Sequence, residues 1–344
     1  ESTVQGDEPT LSTTGLTAKS SGVATAVASG GGESVSEAEN IEKTLEALEE
    51  GLGFRVFEQP WTGDLDVRVE KRLIRVLTVY GMPRYFLDTA QEKGLSSDLV
   101  QMVETFINEK EKEKHLRVNV VYIPVSREQL IPALLSGRGD IIAAGLTITP
   151  EREALVDFTD PVSKPLSEVL VTGPAATPLE TLNDLSGKEV YVRKSSSYHS
   201  SLLALNERLK AQGLKEVTIV PAEEMLEDED ILEMVNAGMI PWAVVDDYKA
   251  EIWAGIFENL TMRDDLKLRS GGRIGYAMRK DSPQLAVALN DFFKSHRQGT
   301  LTGNVLINRY LRDFDWAKNA LSDDDYDRFK QVVDIFSRYG EQYG

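Results

Sequence analysis

Residues 143 to 161 combine glycine, hydroxyl and charged residues in a pattern suited to binding an anion. The stretch reads AAGLTITPEREALVDFTDP, and it overlaps the end of the apolar run DIIAAG, which predicts a short buried strand. Thr149 followed by Pro150 and two glutamates predicts a helix start. Free backbone N–H groups converge at such a turn, and the fork of Arg152 matches a carboxylate. We therefore expect an anion site here; the alternative is a surface ion pair between Arg152 and a nearby glutamate.

The rest of the chain gives no sign of catalysis or metal binding. There is no cysteine, and His115, His199 and His296 have no metal-ligand spacing. The acidic runs LEDEDI and SDDDYD lack the alternation and glycine of a calcium loop, so we interpret them as solvated helix faces or caps. SGGRIG is interpreted as a hinge or turn, and no Ser–His–acid order indicates hydrolysis. We expect no catalytic residue, no metal and no cofactor.

The elements around these residues alternate between strands and helices. Apolar runs predict strands at 73–81, 116–125 and 168–173, and helical spacing predicts helices at 94–114 and 127–139. After residue 178 the alternation restarts and continues to about residue 311. It predicts a parallel α/β sheet, with each half a small doubly wound unit. Ligands bind such units outside the carboxyl ends of the strands.

Composition and charge restrict the class of partner. The 344 residues carry a formal net charge of −18, whereas binding to nucleic acid or to an anionic membrane surface needs clustered cations. No apolar run approaches the length of a membrane span. Segment 1–36, rich in Ser, Gly and Thr, predicts a disordered tether, and 37–69 an acidic helix and lead-in. The start at Glu1 rather than Met is consistent with a removed signal peptide or lipid anchor.

A series of motifs between about residues 70 and 312 carries a family resemblance. They are GLSSDLVQMV, LIPALLSGRGDIIAAGLTITPEREALVDFTDP, LNDLSGKEVYVRKSSSY, WAVVDD and IGYAMRKDSPQLAVALNDFFKSHRQGTLTGNVLINRYL. In this order they resemble the family 3 extracellular solute-binding proteins, which bind polar amino acids. The resemblance implies a two-lobed α/β fold, periplasmic-binding-protein-like (type II), with two crossover strands. Lobe 1 would be 70–172 plus 274–312, lobe 2 would be 173–273, and ligand would bind between them.

The resemblance also implies which residues hold the ligand headgroup. Gly145, Thr147 and Arg152 match the turn and the arginine that grip the ligand α-carboxylate in that family. Asp247 matches the carboxylate that receives the α-ammonium from the other lobe. Two alternatives stay open: the roles of Asp246 and Asp247 are reversed, or these residues only cap a helix.

Further positions match the family less closely. Arg193 and Ser197 match residues that face the cleft, although a serine cap and a solvated Lys–Arg pair are the alternative. Arg127 stands where the family often has an aromatic ring. We expect Arg127 and Tyr80 to contact the ligand. The changed set indicates a larger or more anionic ligand, such as an acidic amino acid or a muropeptide stem, or a cleft that binds nothing.

The last segment, 313–344, reads DFDWAKNALSDDDYDRFKQVVDIFSRYGEQYG. It resembles the helical junction before the catalytic domain of membrane-bound lytic transglycosylase F and its relatives, which join a family 3 module to a peptidoglycan-cleaving domain. The catalytic glutamate of that domain has no match here. The resemblance implies a periplasmic sensor that captures an amino acid or peptidoglycan-derived peptide, anchored through an N-terminal segment. Two alternatives are the binding component of an ABC transporter, with a membrane permease as partner, and the non-catalytic part of a longer transglycosylase.

Overall fold

The computed structural model describes residues 60–88, 91–110 and 117–312. The predictions for the tether at 1–36, for the helix in 37–52, for His115 and for the junction at 313–344 lie outside the described residues.

The first lobe begins with alternating strands and helices, as the hydrophobic pattern predicts. In chain order its elements are α1 (Leu65–Lys71), β1 (Leu73–Thr78), β2 (Phe86–Asp88), β3 (Gln91–Lys93), α2 (Leu95–Lys110), β4 (Asn119–Pro124), α3 (Leu130–Leu135), β5 (Ile141–Thr147), α4 (Pro150–Glu153) and β6 (Asp157–Phe158).

The chain then enters the second lobe and later returns. The elements of the second lobe are β7 (Leu166–Thr172), β8 (Glu189–Val192), α5 (Ser197–Ala211), β9 (Thr218–Pro221), α6 (Asp228–Asn236), β10 (Trp242–Asp246), α7 (Asp247–Ala254) and β11 (Thr261–Gly272). The returning elements are β12 (Ile274–Met278), α8 (Pro283–His296) and α9 (Leu301–Leu311).

The sheet of the first lobe has the strand order β4–β1–β5–β12–β6. β1 is parallel to both of its neighbours, and all six of its residues are buried, because helices cover both faces. β12 runs antiparallel to β5 and β6. Ile74 and Val76 pack with Val103 of α2 and Phe292 of α8 in one apolar cluster. This packing holds the end of β5 in a fixed position at the cleft.

The second lobe is built on β7, which lies between β10 and β11 and is antiparallel to both. β8 and β9 form a parallel pair beside this sheet. The buried core joins Val169 and Val171 of β7 to Leu202 of α5 and Trp253 of α7. As a result, β10 and the start of α7 form a rigid edge that faces the first lobe.

The α/β class and the two lobes agree with the sequence prediction, but the division between the lobes differs. Strand Leu166–Thr172 was expected at the end of lobe 1, whereas it pairs inside the second sheet and its side chains pack in the second core. The chain therefore crosses between the lobes at 159–165 and again at Arg273. The antiparallel strands also differ from the expected parallel ones, because hydrophobic periodicity reports burial and not strand direction.

Candidate functional site

The turn that follows β5 lies in the cleft between the lobes. Gly145 has a φ of +65°, a left-handed conformation that glycine adopts readily. Thr149 caps α4, and its hydroxyl accepts a hydrogen bond from the N–H of Arg152 at 3.4 Å. This helix is a single turn, and one of its N-terminal donors, the N–H of Arg152, is already bonded to the Thr149 hydroxyl. The predicted helix-terminus anion site is therefore not formed by backbone alone, and the Arg152 side chain becomes the main candidate.

The Arg152 guanidinium connects the two lobes. Nη1 donates to the carbonyl of Thr147 at 2.8 Å, and Nη2 donates to the carbonyl of Ser195, in the second lobe, at 3.0 Å. No described carboxylate forms an ion pair with it, so the alternative of a surface pair with a glutamate does not hold in the described part of the chain. Burial lowers the pKa of Arg152 to about 10, and the positive charges of Arg127 and Arg269 act in the same direction. The partly buried guanidinium thus has no carboxylate in direct contact among the described residues, and the negative charge of Asp246 acts on its pKa in the opposite direction to burial.

The serines at the start of α5 are partly occupied by other contacts. Ser196 caps the helix by accepting from the N–H of His199 at 3.3 Å. Ser195 donates its N–H to Glu224 at 3.0 Å and its hydroxyl to the same carboxylate at 2.5 Å. Ser197 is buried at the first position of the helix. The backbone N–H of Ser195 is thus already bonded within the protein.

Arg193 lies in the wall of the cleft, where it is buried in an ion cluster. Its guanidinium donates to the carbonyl of Leu226 and to the carboxylate of Asp228. The same carboxylate also accepts from Lys249. Although burial acts to raise the pKa of Asp228, the charges of Arg193 and Lys249 outweigh it and hold that pKa well below its usual range. Arg193 lines the cleft, but its charge is compensated.

The two adjacent aspartates at the end of β10 have different surroundings. Asp246 is buried, its Oδ2 lies 3.6 Å from Lys249 Nζ, and its Oδ1 has no hydrogen-bond partner among the described residues. Burial raises the pKa of Asp246. Asp247 is partly exposed and accepts from the N–H groups of Ser167 at 2.9 Å and Tyr248 at 2.8 Å. Both carboxylates reach the cleft, at different places.

Two cavities occupy this region, and Gly145 lies in the wall of each. The smaller measures ≈ 30 Å³, the space of about two water-sized groups. It is lined by the cationic residues Arg127, Arg152, Arg193 and Lys249, by Thr147 and Ser195 to Tyr198, and by Asp228 and Asp246. The larger measures ≈ 150 Å³ and has mainly apolar walls, including Leu95, Leu99, Leu166, Ile274 and Leu306, with Arg84 and Asp247 among its polar residues.

Arg127 forms a lobe-to-lobe ion pair. Its Nε lies 2.9 Å from each carboxylate oxygen of Glu227, and its Nη2 lies 2.7 Å from Oε2. Glu227 and Asp228 are both buried, so LEDEDI is not a solvated face. The alternative interpretation as a helix cap is confirmed, because Glu227 is the N-cap of α6 and forms a capping box with Asp230. Glu229 of the same run accepts from the N–H of Met82 in the first lobe at 2.8 Å. Glu227 and Glu229, at the start of α6, therefore both contact the first lobe.

Tyr80 does not take part in the cleft, contrary to expectation. Its side chain is 57 % exposed, and it lines neither cavity. The residue of that loop that does reach the cleft is Arg84, which the sequence analysis missed. Its guanidinium packs against Gly145 and donates to the hydroxyl of Tyr248 in the second lobe. The available signal was an arginine beside the glycine and proline of GMPRY, directly after the first strand.

The chain forms two lobes, and Arg152 lies between them at the end of β5 without a paired carboxylate among the described residues. A comparison with known protein families agrees with this arrangement. The profile of bacterial extracellular solute-binding proteins, family 3, matches residues 74–311. The chain belongs to this family. The match covers both lobes and includes every candidate residue named above.

Curated relatives of two kinds are similar to the chain. A membrane-bound lytic murein transglycosylase F of Methylobacillus flagellatus is 27% identical over 255 residues, which are 74% of this chain and 51% of the relative. A probable histidine-binding protein of Campylobacter jejuni is 30% identical over 139 residues, 40% of this chain and 49% of that protein. The chain thus spans about half the length of these relatives.

Solved structures of amino-acid-binding proteins share the fold. One is a putative binding component of an ABC transporter from Wolinella succinogenes complexed with lysine, at a TM-score of 0.59 and 20% identity over 72% of this chain and 99% of that chain. Another is an ancestral arginine-binding protein bound to arginine, at 0.56 and 24% identity over 69% and 97%. Within the described residues, no helix is long and apolar enough to cross a membrane.

Proposed function

We propose that the cleft binds the zwitterionic headgroup of an amino acid or a peptidoglycan-derived peptide, with the carboxylate on Arg152. The observation that carries this proposal is the uncompensated charge of Arg152, which lies between the lobes at a cavity the size of a carboxylate. A carboxylate there would accept charge-assisted hydrogen bonds from the guanidinium. The family to which the chain belongs supports the same kind of ligand.

The ammonium group of the ligand is assigned to Asp247. Its two oxygens accept backbone N–H groups from Ser167 and Tyr248, and each oxygen keeps a further lone pair for an ammonium donor. Asp246 is the second candidate, but Lys249 already places a positive charge 3.6 Å from it. Arg152 belongs to the first lobe and Asp247 to the second, so only a closed arrangement contacts both ends of the headgroup. Ligand would therefore favour closure.

Thermal unfolding with and without ligand tests this function. A panel of amino acids, short peptides and muropeptide fragments is added to the protein and to Arg152→Ala. A ligand at about 100 times its Kd should stabilise the wild type by ~2.7 kcal/mol, a rise in Tm of roughly 5–10 °C. The rise should vanish in Arg152→Ala and persist in Arg208→Ala, an exposed arginine on α5. If no compound shifts the wild type, the cleft does not bind this class of ligand.

For the biological role, we infer a periplasmic sensor module of a lytic transglycosylase F-like protein. The similarity to such proteins over 74% of this chain supports it, as does the binding fold. The chain itself is assigned a binding and not a cleaving role, because glycan cleavage needs a placed carboxylic acid supplied by a further domain. A peptidoglycan zymogram of this chain and of the full-length gene product tests this. Clearing by this chain alone would contradict it.

Delivery of an amino acid to a membrane permease is the second candidate role. The similarity to a probable histidine-binding protein favours it. Deleting the gene and measuring uptake of the identified ligand separates the two roles. Reduced uptake supports transport, whereas unchanged uptake with altered peptidoglycan turnover supports the sensor. Cell fractionation tests the periplasmic location and the membrane anchor.

A further inference from the structure

Seven cationic side chains line the two cavities of the cleft. Lys164 and Arg297 are exposed to solvent. The other five differ in whether a carboxylate pairs with them. Arg127 pairs with Glu227, while Arg193 and Lys249 share Asp228. Arg84 and Arg152 form no ion pair with a described carboxylate, and their partners are a phenol hydroxyl and two backbone carbonyls. Neutral acceptors leave the charge of a guanidinium uncompensated. Apart from the two exposed residues, the cleft therefore holds two guanidiniums without a paired carboxylate among the described residues.

The two uncompensated guanidiniums lie along one strand. Arg84 packs against Gly145, and Arg152 donates to the carbonyl of Thr147. These two anchor points are two residues apart on β5, which corresponds to roughly 7 Å of strand. Two carboxylates on one small molecule span a comparable distance. The spacing is thus suited to a ligand with two acidic groups.

The cavity beside Arg84 indicates what lies between the two acidic groups. Its volume of ≈ 150 Å³ is below that of pockets that enclose a whole ligand, and it matches one side chain. Leu95, Leu99 and Leu166 give it walls suited to methylene groups, and Asp247 lies in the same wall. Because Asp247 would repel a ligand that carries only carboxylates, the ligand also needs a cationic amine next to it.

From this arrangement we infer that the cleft selects a dicarboxylic amino acid, with its α-carboxylate on Arg152, its amine on Asp247 and its side-chain carboxylate on Arg84. The inference rests on the proposed function and adds the ligand class. Arg84 becomes the residue that distinguishes an acid from its amide, since a guanidinium binds a carboxylate in two parallel hydrogen bonds and an amide cannot accept both. The ligand source is either the free amino acid or the same residue in a short peptide.

Isothermal titration of the whole chain tests the inference. L-glutamate, D-glutamate and L-aspartate are compared with L-glutamine, L-asparagine and L-leucine, and γ-glutamyl dipeptides test the peptide source. Charge-assisted hydrogen bonds predict that an acid binds roughly 10- to 100-fold more tightly than its amide. In Arg84→Gln this ratio should fall to about one while the amide still binds. Because the acid and the amide are measured on the same variant, the ratio of their Kd values is informative even if the substitution weakens closure of the lobes.

Each possible result tests a different part of the two proposals. If the wild type binds amides or leucine as tightly as acids, and binding still depends on Arg152, the dicarboxylate inference is overturned while the proposed function stands. Retention of the acid-to-amide ratio in Arg84→Gln overturns the role of Arg84. If neither acids nor neutral amino acids bind, both proposals fail together. Arg208→Gln, on the exposed surface of α5, should leave every ratio unchanged.

Discussion

At the scale of single residues, the candidate site depends on a glycine that allows a large cationic side chain to approach the backbone. Gly145 is the central example, because it belongs to the walls of both cavities and has no side chain to separate them. Its positive φ and the Arg84 guanidinium that packs on it are two independent reasons for glycine. The cleft thus depends on this position as much as on its charged residues.

Replacement of Gly145 by alanine should destabilise the protein for both of these reasons. The left-handed conformation alone makes alanine unfavourable by ~1–2 kcal/mol, and the added Cβ would collide with Arg84. The free energy of unfolding is measured by urea titration. Gly213→Ala is the matched control, because Gly213 has a φ of +73° and open space around its Cβ position.

The larger loss is expected in Gly145→Ala, and combining it with Arg84→Ala should bring it close to that of the control. Equal losses of unfolding free energy in Gly145→Ala and Gly213→Ala would show that a collision with Arg84 does not contribute to the loss. The comparison separates backbone strain from the side-chain contact, which a single substitution cannot do.

At the scale of secondary-structure elements, one buried carboxylate joins three elements of the first lobe. Asp140 precedes β5 and is completely buried. It accepts from Arg68 of α1 at 2.9 Å, from Arg75 of β1 at 3.1 Å and from Arg279 after β12 at 3.3 Å. The Trp61 ring lies 3.8 Å from the Arg75 guanidinium. These contacts position the sheet whose strand β5 leads into the turn proposed to bind the ligand.

Asp140→Asn should reduce the free energy of unfolding by roughly 3–5 kcal/mol, because three buried guanidiniums lose their carboxylate. Chemical denaturation followed by tryptophan fluorescence measures the loss. The control is Asp291→Asn, which removes a carboxylate that pairs with Lys110 and Lys294 at the exposed surface. That variant should remain close to wild type. If Asp140→Asn has a similarly small effect, the three arginines are held instead by the backbone carbonyls that accept their other hydrogen bonds.

At the scale of the whole molecule, the lobes contact each other through polar groups as well as through the crossover segments. Arg127 pairs with Glu227, and Met82 donates to Glu229. Burial raises the pKa of Glu229 to about 8, and the negative charge of Glu227 raises it further. We therefore expect the contact between Glu229 and the first lobe to depend on pH.

The sign of this dependence follows from the raised pKa. The folded protein binds the Glu229 proton more tightly than the unfolded chain, whose carboxyl titrates in its ordinary range near 4.5. Stability contributed by this group is therefore complete at low pH and falls as the pH rises toward about 8. Glu229→Gln stays neutral and should flatten this part of the profile. Unfolding free energies at several pH values between 5 and 9 measure it, and identical slopes in the two proteins would contradict the assignment.

The sequence by itself determined the class of the fold and indicated Arg152 as the central candidate of the site. Alternating apolar runs predict the strands and helices of both lobes, because local periodicity reports which residues are buried. The turn around Arg152 was recognisable for the same local reason, since its cap, proline and charges lie within a few residues. The order of motifs pointed to the family, which the comparison confirms.

Only the tertiary structure decided which charges remain uncompensated. The sequence of LEDEDI indicates a solvated face or a helix cap. Glu227 does cap α6, but Glu227 and Asp228 are also buried, because partners about 100 and 35 residues away in the chain contact them across and within the lobes. Pairing with Asp228 also compensates the charge of Arg193. The exposure of Tyr80 and the contact of Arg84 with Gly145 are likewise visible only in the structure. Compensation of charge is a property of neighbours in space, and local sequence patterns do not contain it.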